Sequence, residues 1–274
     1  MQRLGFVEVP CTVQRMATFL FDEIVYGPVY SRRLGVSLGV NISPPDGKRC
    51  SFNCIYCECG LNEQRPAIQK APNRALVCNS LQTKLLQMNI EGKFPDVITF
   101  SGNGEPTLHP EFAGIIDDTL ALRNQLCPQT RVAVLSNSTM LHKEEVFQAL
   151  CKVDDNIMKL DSVLDRRIRQ IDDPENQTFS ADELIRQLCR FNGRLIIQTL
   201  FLRGERDGIV IDNTDDEEIA AWIIALRQIN PRKVMIYTLS RETPVKTLQK
   251  IPLSELETIA ERLRKEGFEV SISG

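Results

Sequence analysis

The sequence predicts an α/β fold arranged as a partial, open (β/α)6 barrel, and three observations lead there. Short runs rich in apolar and β-branched residues recur along the chain, amphipathic stretches of helical length separate them, and no low-complexity segment, short-period repeat or linker interrupts the series. Near-continuous apolar strands alternating with helical patterns indicate a buried parallel sheet made of βα units. The bulk properties agree: 274 residues, 42% hydrophobic and 25% charged, suit a globular chain that buries its own core. We expect a single domain over residues 26–274 preceded by an N-terminal extension, residues 1–25, with Ala17 after Met16 reading as a natural beginning.

The elements follow in order. Residues 36–40 (VSLGV) form a first strand that leads into a cysteine-rich loop, and residues 79–88 a first helix. Residues 96–100 (DVITF) are the second strand and 111–126 its helix; residues 131–135 (RVAVL) are the third strand, followed by a helix over 143–150. The fourth strand is 156–160 (NIMKL) and the fifth 195–200 (LIIQTL), with a helix over 181–189 between them. A helix over 215–228 carries Asp216, Glu217 and Glu218 in its first turn, where the helix dipole favours negative charge. The sixth strand is 233–239 (KVMIYTL) and a terminal strand covers 268–272; the helix between, 254–265, shows Leu256, Ile259, Ala260 and Leu263 at helical spacing after Ser254 as N-cap. Parallel α/β architectures place ligands beyond the carboxyl ends of their strands, so the cysteine loop lies at the functional end.

Composition narrows the function. A net charge of −3 and a pI near 5.6 argue against a dedicated nucleic-acid binder. Arg32 with Arg33, Lys48 with Arg49, and the group Arg166, Arg167 and Arg169 are the candidate local basic patches, solvated surface charge being the bland account of the last. Nine cysteines, clustered once and then scattered, do not form a disulfide framework. Cys127, Cys151 and Cys189 read as small core hydrophobes, whereas Cys11, Cys59 and Cys78 are candidates for an auxiliary site. No apolar run reaches the length of a membrane helix and the N-terminus lacks a signal-peptide pattern; we expect no membrane and a reducing cytoplasm.

The chemistry concentrates in the run K-R-C-S-F-N-C-I-Y-C-E-C-G, where Cys50, Cys54 and Cys57 are spaced C-x3-C-x2-C. Thiolates select iron–sulfur clusters, zinc or Cu(I), and a closed [4Fe–4S] site has four cysteines, so three leave one iron open. The alternative is a zinc knuckle with Cys59 as fourth ligand, but its C-x-C end is unusual for structural zinc and neither His109 nor His142 is near in sequence.

The spacing, with Tyr56 in the aromatic slot, resembles the cluster loop of the radical S-adenosylmethionine (radical SAM) superfamily. The turn S-G-N-G-E-P-T after the second strand resembles that family's G-G-E-P motif, in which Gly102, Asn103, Gly104, Glu105 and Pro106 would hold the amino group of S-adenosylmethionine, Asn103 replacing nothing essential. Glycines there let backbone approach a ligand closely, and Glu105 offers a carboxylate to an ammonium group. Ser136 and Asn137, ending the third strand, face the cofactor's methionyl part or cap the next helix. Lys159 and Asp161 share one side of the fourth strand; the resemblance implies a ribose or carboxylate contact for one of them, the alternative being a structural ion pair. Gln198 would face the adenosyl moiety and Tyr237 the adenine, with core packing an equal account of Tyr237.

The stretch from Lys159 to Asp172 also resembles family members that make wyosine bases in tRNA, and the lead-in G-P-V-Y-S-R-R-L-G-V-S-L-G resembles that of a small branch of the family, a likeness reaching from Tyr26 to Pro244. Arg32 and Arg33 would bind a substrate phosphate or carboxylate, or pin the lead-in by salt bridges. The resemblance implies an enzyme that uses a [4Fe–4S] cluster to cleave S-adenosylmethionine reductively to a 5′-deoxyadenosyl radical, which abstracts hydrogen from a substrate. A flavodoxin or ferredoxin would be the electron donor, and tRNA, a glycyl-radical enzyme, or a small molecule or peptide the substrate. The opposing class is a non-enzymatic electron carrier or a structural zinc protein.

Overall fold

Period-two alternation of side chains along each strand decides which side of the sheet meets the helices and which faces the interior of the barrel. The computed structural model describes residues 18–31 and 33–274; Cys11, Met16, Arg32 and most of the expected extension lie outside the described residues. The strands, in chain order, are β1 (Val25–Ser31), β2 (Gly35–Val40), β3 (Val97–Phe100), β4 (Arg131–Ser136), β5 (Asp155–Lys159), β6 (Ile196–Arg206), β7 (Ile209–Asp212), β8 (Lys233–Thr238), β9 (Gln249–Lys250) and β10 (Val270–Ser273). Eight of them form one curled, open sheet in the order β1-β2-β3-β4-β5-β6-β8-β10, with β7 and β9 pairing only with the far end of β6. Every neighbour pair from β2 to β10 along that path is parallel, and β1 joins β2 antiparallel.

The helices are α1 (Arg74–Ile90), α2 (Phe112–Leu126), α3 (Glu144–Lys152), α4 (Asp165–Ile171), α5 (Ala181–Cys189), α6 (Asp216–Ile229) and α7 (Leu253–Lys265). Leu38, Ile98, Val132, Met158, Ile197 and Val234 point to the helix side, where they join Leu81, Ile115, Leu188, Trp222, Leu226 and Ile259 in one continuous core. Burying each such side chain is worth about 1.5–3 kcal/mol. The alternate residues, Leu34, Val97, Ala133, Ile157, Ile196 and Met235, close the floor of the barrel as a separate cluster. One step further along the same inner face come Thr99, Leu135, Lys159, Gln198 and Tyr237, so the floor gives way to polar groups at the carboxyl end.

Several elements differ from the expectation. Helix α1 begins at Arg74, five residues early, because the Asn73 side chain caps it by accepting from Leu76 N at 2.9 Å. Helix α7 begins at Leu253 with Pro252 as N-cap, which puts Ser254 in the first turn rather than at the cap. Cys151 is exposed rather than buried, since Val146, Phe147, Ala149 and Leu150 already fill the core-facing side of α3. Strand β1, helix α4 and the hairpin partner β7 have no counterpart in the expected series. Among the described residues no helix is long and apolar enough to cross a membrane.

Candidate active site

The cysteine loop leaves the carboxyl end of β2 and is fastened on two sides by backbone hydrogen bonds. Arg49 N donates to Asn103 O at 2.9 Å and Glu105 N donates back to Arg49 O at 2.9 Å, so the loop pairs with the turn after β3. On the other side Asn53 N donates to Asp172 O at 2.9 Å and Ile55 N to Ile171 O at 3.0 Å, tying the loop to the end of α4. Within it, Cys57 N donates to Cys54 O at 3.0 Å and Gly60 N to Cys57 O at 2.9 Å. These bonds fix the three cysteines around one cavity of about 390 Å³, which all three line.

The turn after β3 needs its glycines. Gly104 has φ +139°, and a Cβ there would collide with the Arg49 carbonyl and break the pairing just described; Gly102, at φ +148°, lies against Asn41 in the same way. Glu105 is 3% exposed. Its Oε1 accepts from Thr107 N at 3.0 Å, Thr107 Oγ1 at 2.5 Å and Ser136 Oγ at 2.8 Å, and its Oε2 accepts from Asn137 N at 2.6 Å. Burial still pushes the Glu105 carboxyl above its ordinary range, against the pull of those donors. Oε1 is saturated, while Oε2 keeps a lone pair for one more donor. Asn137 also donates from Nδ2 to Ser51 Oγ at 3.0 Å and approaches Cys50 Sγ at 3.6 Å, which makes it a second tie between the cysteine loop and β4.

Electrostatics under the cysteines rest on Lys48. It is 5% exposed and donates to Gly60 O at 2.8 Å. Burial opposes its charge, but Cys57, Cys50, Cys54 and Cys59 outweigh that and hold its pKa above the usual value. Burial pushes the Cys50 thiol up to about 12 and raises Cys54 as well, Lys48 and Lys159 respectively pulling the other way. Cys57 moves down, chiefly because the Cys59 thiol hydrogen-bonds to it. Cys59 is buried and its Sγ also lies 3.3 Å from Gly102 O. Lys48 is the fixed cation beside these thiols.

On the inner wall, Lys159 is held by Asp161, by Asp172 at 3.2 Å and by the Tyr56 hydroxyl, and its ammonium stands 4.5 Å from the Tyr56 ring centroid. Burial works against its charge, but the two carboxylates outweigh it and raise its pKa. Asp161 takes the Tyr56 hydroxyl as well as Leu200 N at 2.9 Å. Asp172 also receives the Cys54 thiol at 3.5 Å. Burial, reinforced by Asp161, pushes the Tyr237 phenol up to about 12, so it stays neutral.

The expected residues are thus largely gathered in one place. Cys50, Cys54, Tyr56, Cys57, Gly102, Gly104, Glu105, Ser136, Asn137, Lys159, Gln198 and Tyr237 all line the cavity. Asp161 and Pro106 are buried behind its wall. Asn103 turns away: it is fully buried, accepts from Phe21 N at 2.8 Å, and donates to Phe21 O at 2.7 Å and Pro44 O at 2.9 Å. It therefore anchors residues 18–24, which the sequence assigned to the extension. That segment also lies across the cavity, with Phe19 N donating to Glu58 O at 3.0 Å and Phe19 and Phe21 on the lining. Reading the sequence did not find Asp172 or the service of Lys48 under the cysteines; a lysine two residues before a thiolate cluster was the available signal for the second. The arginines of the basic group are all engaged: Arg166 with Glu217 at 2.8 Å, Arg167 with Asp215 at 2.8 Å, and Arg169 with Gln177 O at 2.9 Å.

Comparison with known proteins decides the family. The sequence model of the Radical SAM superfamily matches residues 45–209, a stretch running from just ahead of the cysteine loop to the start of β7. The chain belongs to the radical SAM superfamily. Superfamily members use a [4Fe–4S] cluster and S-adenosylmethionine, and this radical SAM protein is an enzyme of that class. A UPF0026 protein of Helicobacter pylori is 30% identical over 253 residues, covering 91% of this chain and 76% of the relative. Among solved structures, SuiB of Streptococcus suis bound to S-adenosylmethionine superposes with a TM-score of 0.60 at 15% identity over 86% of this chain. The chain spans 50% of that longer protein. TYW1 with a lysine-pyruvate adduct bound gives a TM-score of 0.60 at 17% identity, over 84% of this chain and 73% of that one. At these identities the two structures establish the radical SAM fold and nothing finer.

Proposed function

We propose that this radical SAM enzyme binds a [4Fe–4S] cluster through Cys50, Cys54 and Cys57, cleaves S-adenosylmethionine reductively, and uses the radical to take hydrogen from a substrate admitted at the open side of the barrel. One observation carries this reading: the loop that holds three free cysteines is hydrogen-bonded through Arg49 to the Gly102–Glu105 turn, and both face one cavity. The donor set fits the cluster. Thiolates ranged around a cavity suit a cluster whose iron corners are separate.

When bound, the cluster supplies the electron that breaks the sulfonium and frees a 5′-deoxyadenosyl radical. The chain's own residues bind, orient and shield. The backbone of Gly102 and Gly104 and the remaining lone pair of Glu105 Oε2 take the methionine ammonium. Asn137 keeps β4 and the cysteine loop in one register. Gln198 and the neutral Tyr237 form the inner wall for the nucleoside, and the Lys159–Asp161–Asp172 group holds Tyr56, and with it the cysteine loop, to that wall. Phe19 and Phe21 keep water from the cavity. A flavodoxin or ferredoxin is the class of donor that fits the electron's potential.

Anaerobic purification followed by EPR tests the assignment. The reduced-cluster signal is expected to change on adding S-adenosylmethionine, and serine at any one of the three cysteines to abolish 5′-deoxyadenosine formation. A colourless protein carrying one tight zinc would overturn it.

A further inference from the structure

Two arginines line the cavity, and they are placed differently. Arg241 is ion-paired with Glu58 and stands 5.2 Å from the Phe19 ring centroid. Arg33 has its guanidinium carbon 4.5 Å from the Tyr237 ring centroid, and its backbone N–H donates to Ser31 Oγ at 3.3 Å; toward the described residues its side chain makes no hydrogen bond. Among the described residues no carboxylate lies within ion-pairing distance of it. The other cavity charges are engaged: Lys159 with two aspartates, Glu58 with Arg241, and Glu105 with Thr107, Ser136 and Asn137. Arg33 is thus a solvent-exposed cation at the rim of the cavity with no counter-ion among the described residues.

Its backbone enters the barrel at the end of β2 opposite the cysteine loop. Arg33 precedes β2 and the cysteine loop follows that strand's other end; six residues of strand span about 20 Å at about 3.3 Å each. Strand β1 and strand β10 are the two open edges of the sheet, and Tyr26 and Ser273 from those strands line the same cavity as Arg33. The guanidinium therefore reaches in from the open side. Stacking on Tyr237 fixes its plane and leaves its N–H edge free, the geometry that takes two oxygens of one anion side by side.

We infer that Arg33 is an anion subsite that grips a carboxylate or phosphate of the substrate at the open side of the barrel, with Tyr237 as its platform. This rests on the enzyme reading above and narrows its substrate to an acidic one. Lysine at this position would keep the charge but lose both the fork and the stacking.

The test uses the cluster-loaded full chain with S-adenosylmethionine bound, treated with phenylglyoxal at constant ionic strength, with adducts located by tandem mass spectrometry. Arg33 is expected to react faster than Arg241, and to be slowed at least about threefold by malonate or by inorganic phosphate in excess over the dissociation constant. Protection by malonate alone identifies a carboxylate substrate, and by phosphate alone a phosphorylated one; protection by both supports the subsite as stated. Labelling that neither malonate nor phosphate slows overturns the inference, as does full protection by S-adenosylmethionine alone, which would assign Arg33 to the cofactor. Because labelling does not depend on turnover, an EPR signal indifferent to S-adenosylmethionine would sink the enzyme reading and leave the subsite to be judged separately.

Discussion

At the scale of single residues, Gly104 shows how a motif letter becomes geometry. Its φ of +139° and its contact with the Arg49 carbonyl leave no room for a methyl group. Gly104→Ala is expected to destabilise the protein by about 1–3 kcal/mol through backbone strain alone and to lower iron content as the Arg49 pairing opens. Iron assay and urea melts on the same preparation check both. That a glycine was required here was legible, because two glycines beside a glutamate at a strand end suggest close approach. The approaching atom was not, since Arg49 belongs to another βα unit and single-sequence patterns carry no information about which loops meet. Asn103 is the converse: it sits inside the motif yet serves residues 18–24, and nothing about an asparagine between glycines marks that role.

At the scale of elements, local chemistry decided what was readable. The parallel strands were legible because each is a near-continuous apolar run rich in β-branched residues. Strand β1 was not, because Gly27 and Pro28 interrupt it and its pairing with β2 shifts register between Tyr26 and Val29. Helix α4 escaped notice because only Ile168 and Ile171 are apolar in a run that otherwise reads as surface charge. The start of α6 gives a prediction at this scale. Asp215 caps it, accepting from Glu218 N at 2.8 Å while pairing with Arg167 at 2.8 Å. Burial is the largest single influence on the Asp215 pKa and raises it, but the cap bond and Arg167 together outweigh it, so the net movement is downward. Asp215→Ala should cost about 1 kcal/mol at neutral pH, and Asp215→Asn much less. A depressed carboxylate contributes its full stability above its unfolded pKa and loses it as pH falls through the lower folded value. The gap in urea midpoint between wild type and Asp215→Ala should therefore close as pH drops below about 4.

At the scale of the whole molecule, the main core and the proposed cluster ligands are separate. None of Cys50, Cys54 and Cys57 belongs to the core that joins sheet and helices, and Trp222 is 1% exposed within that core. Protein stripped of iron is expected to keep its far-UV circular dichroism and its buried tryptophan emission. Each kcal/mol lost with the metal should appear as a fall of about 2 °C in Tm. Collapse of the dichroism on chelation would contradict the separation. The open side of the barrel was legible in outline, since the six βα units read from the sequence are fewer than the eight that close a ring. The strap of residues 18–24 across the mouth was not, because its aromatic residues have no periodicity and meet the site only through distant partners.

The mutual backbone bonding of Arg49 with Asn103 and Glu105 bears on any attempt at chimeras. Transplanting the segment around the three cysteines from a cousin enzyme, by itself, would deliver a part cut for a different socket. The donor has to bring the post-β3 turn along as a matched component, and a hybrid made with one half of the pair should fail to load metal even though every ligand is in place.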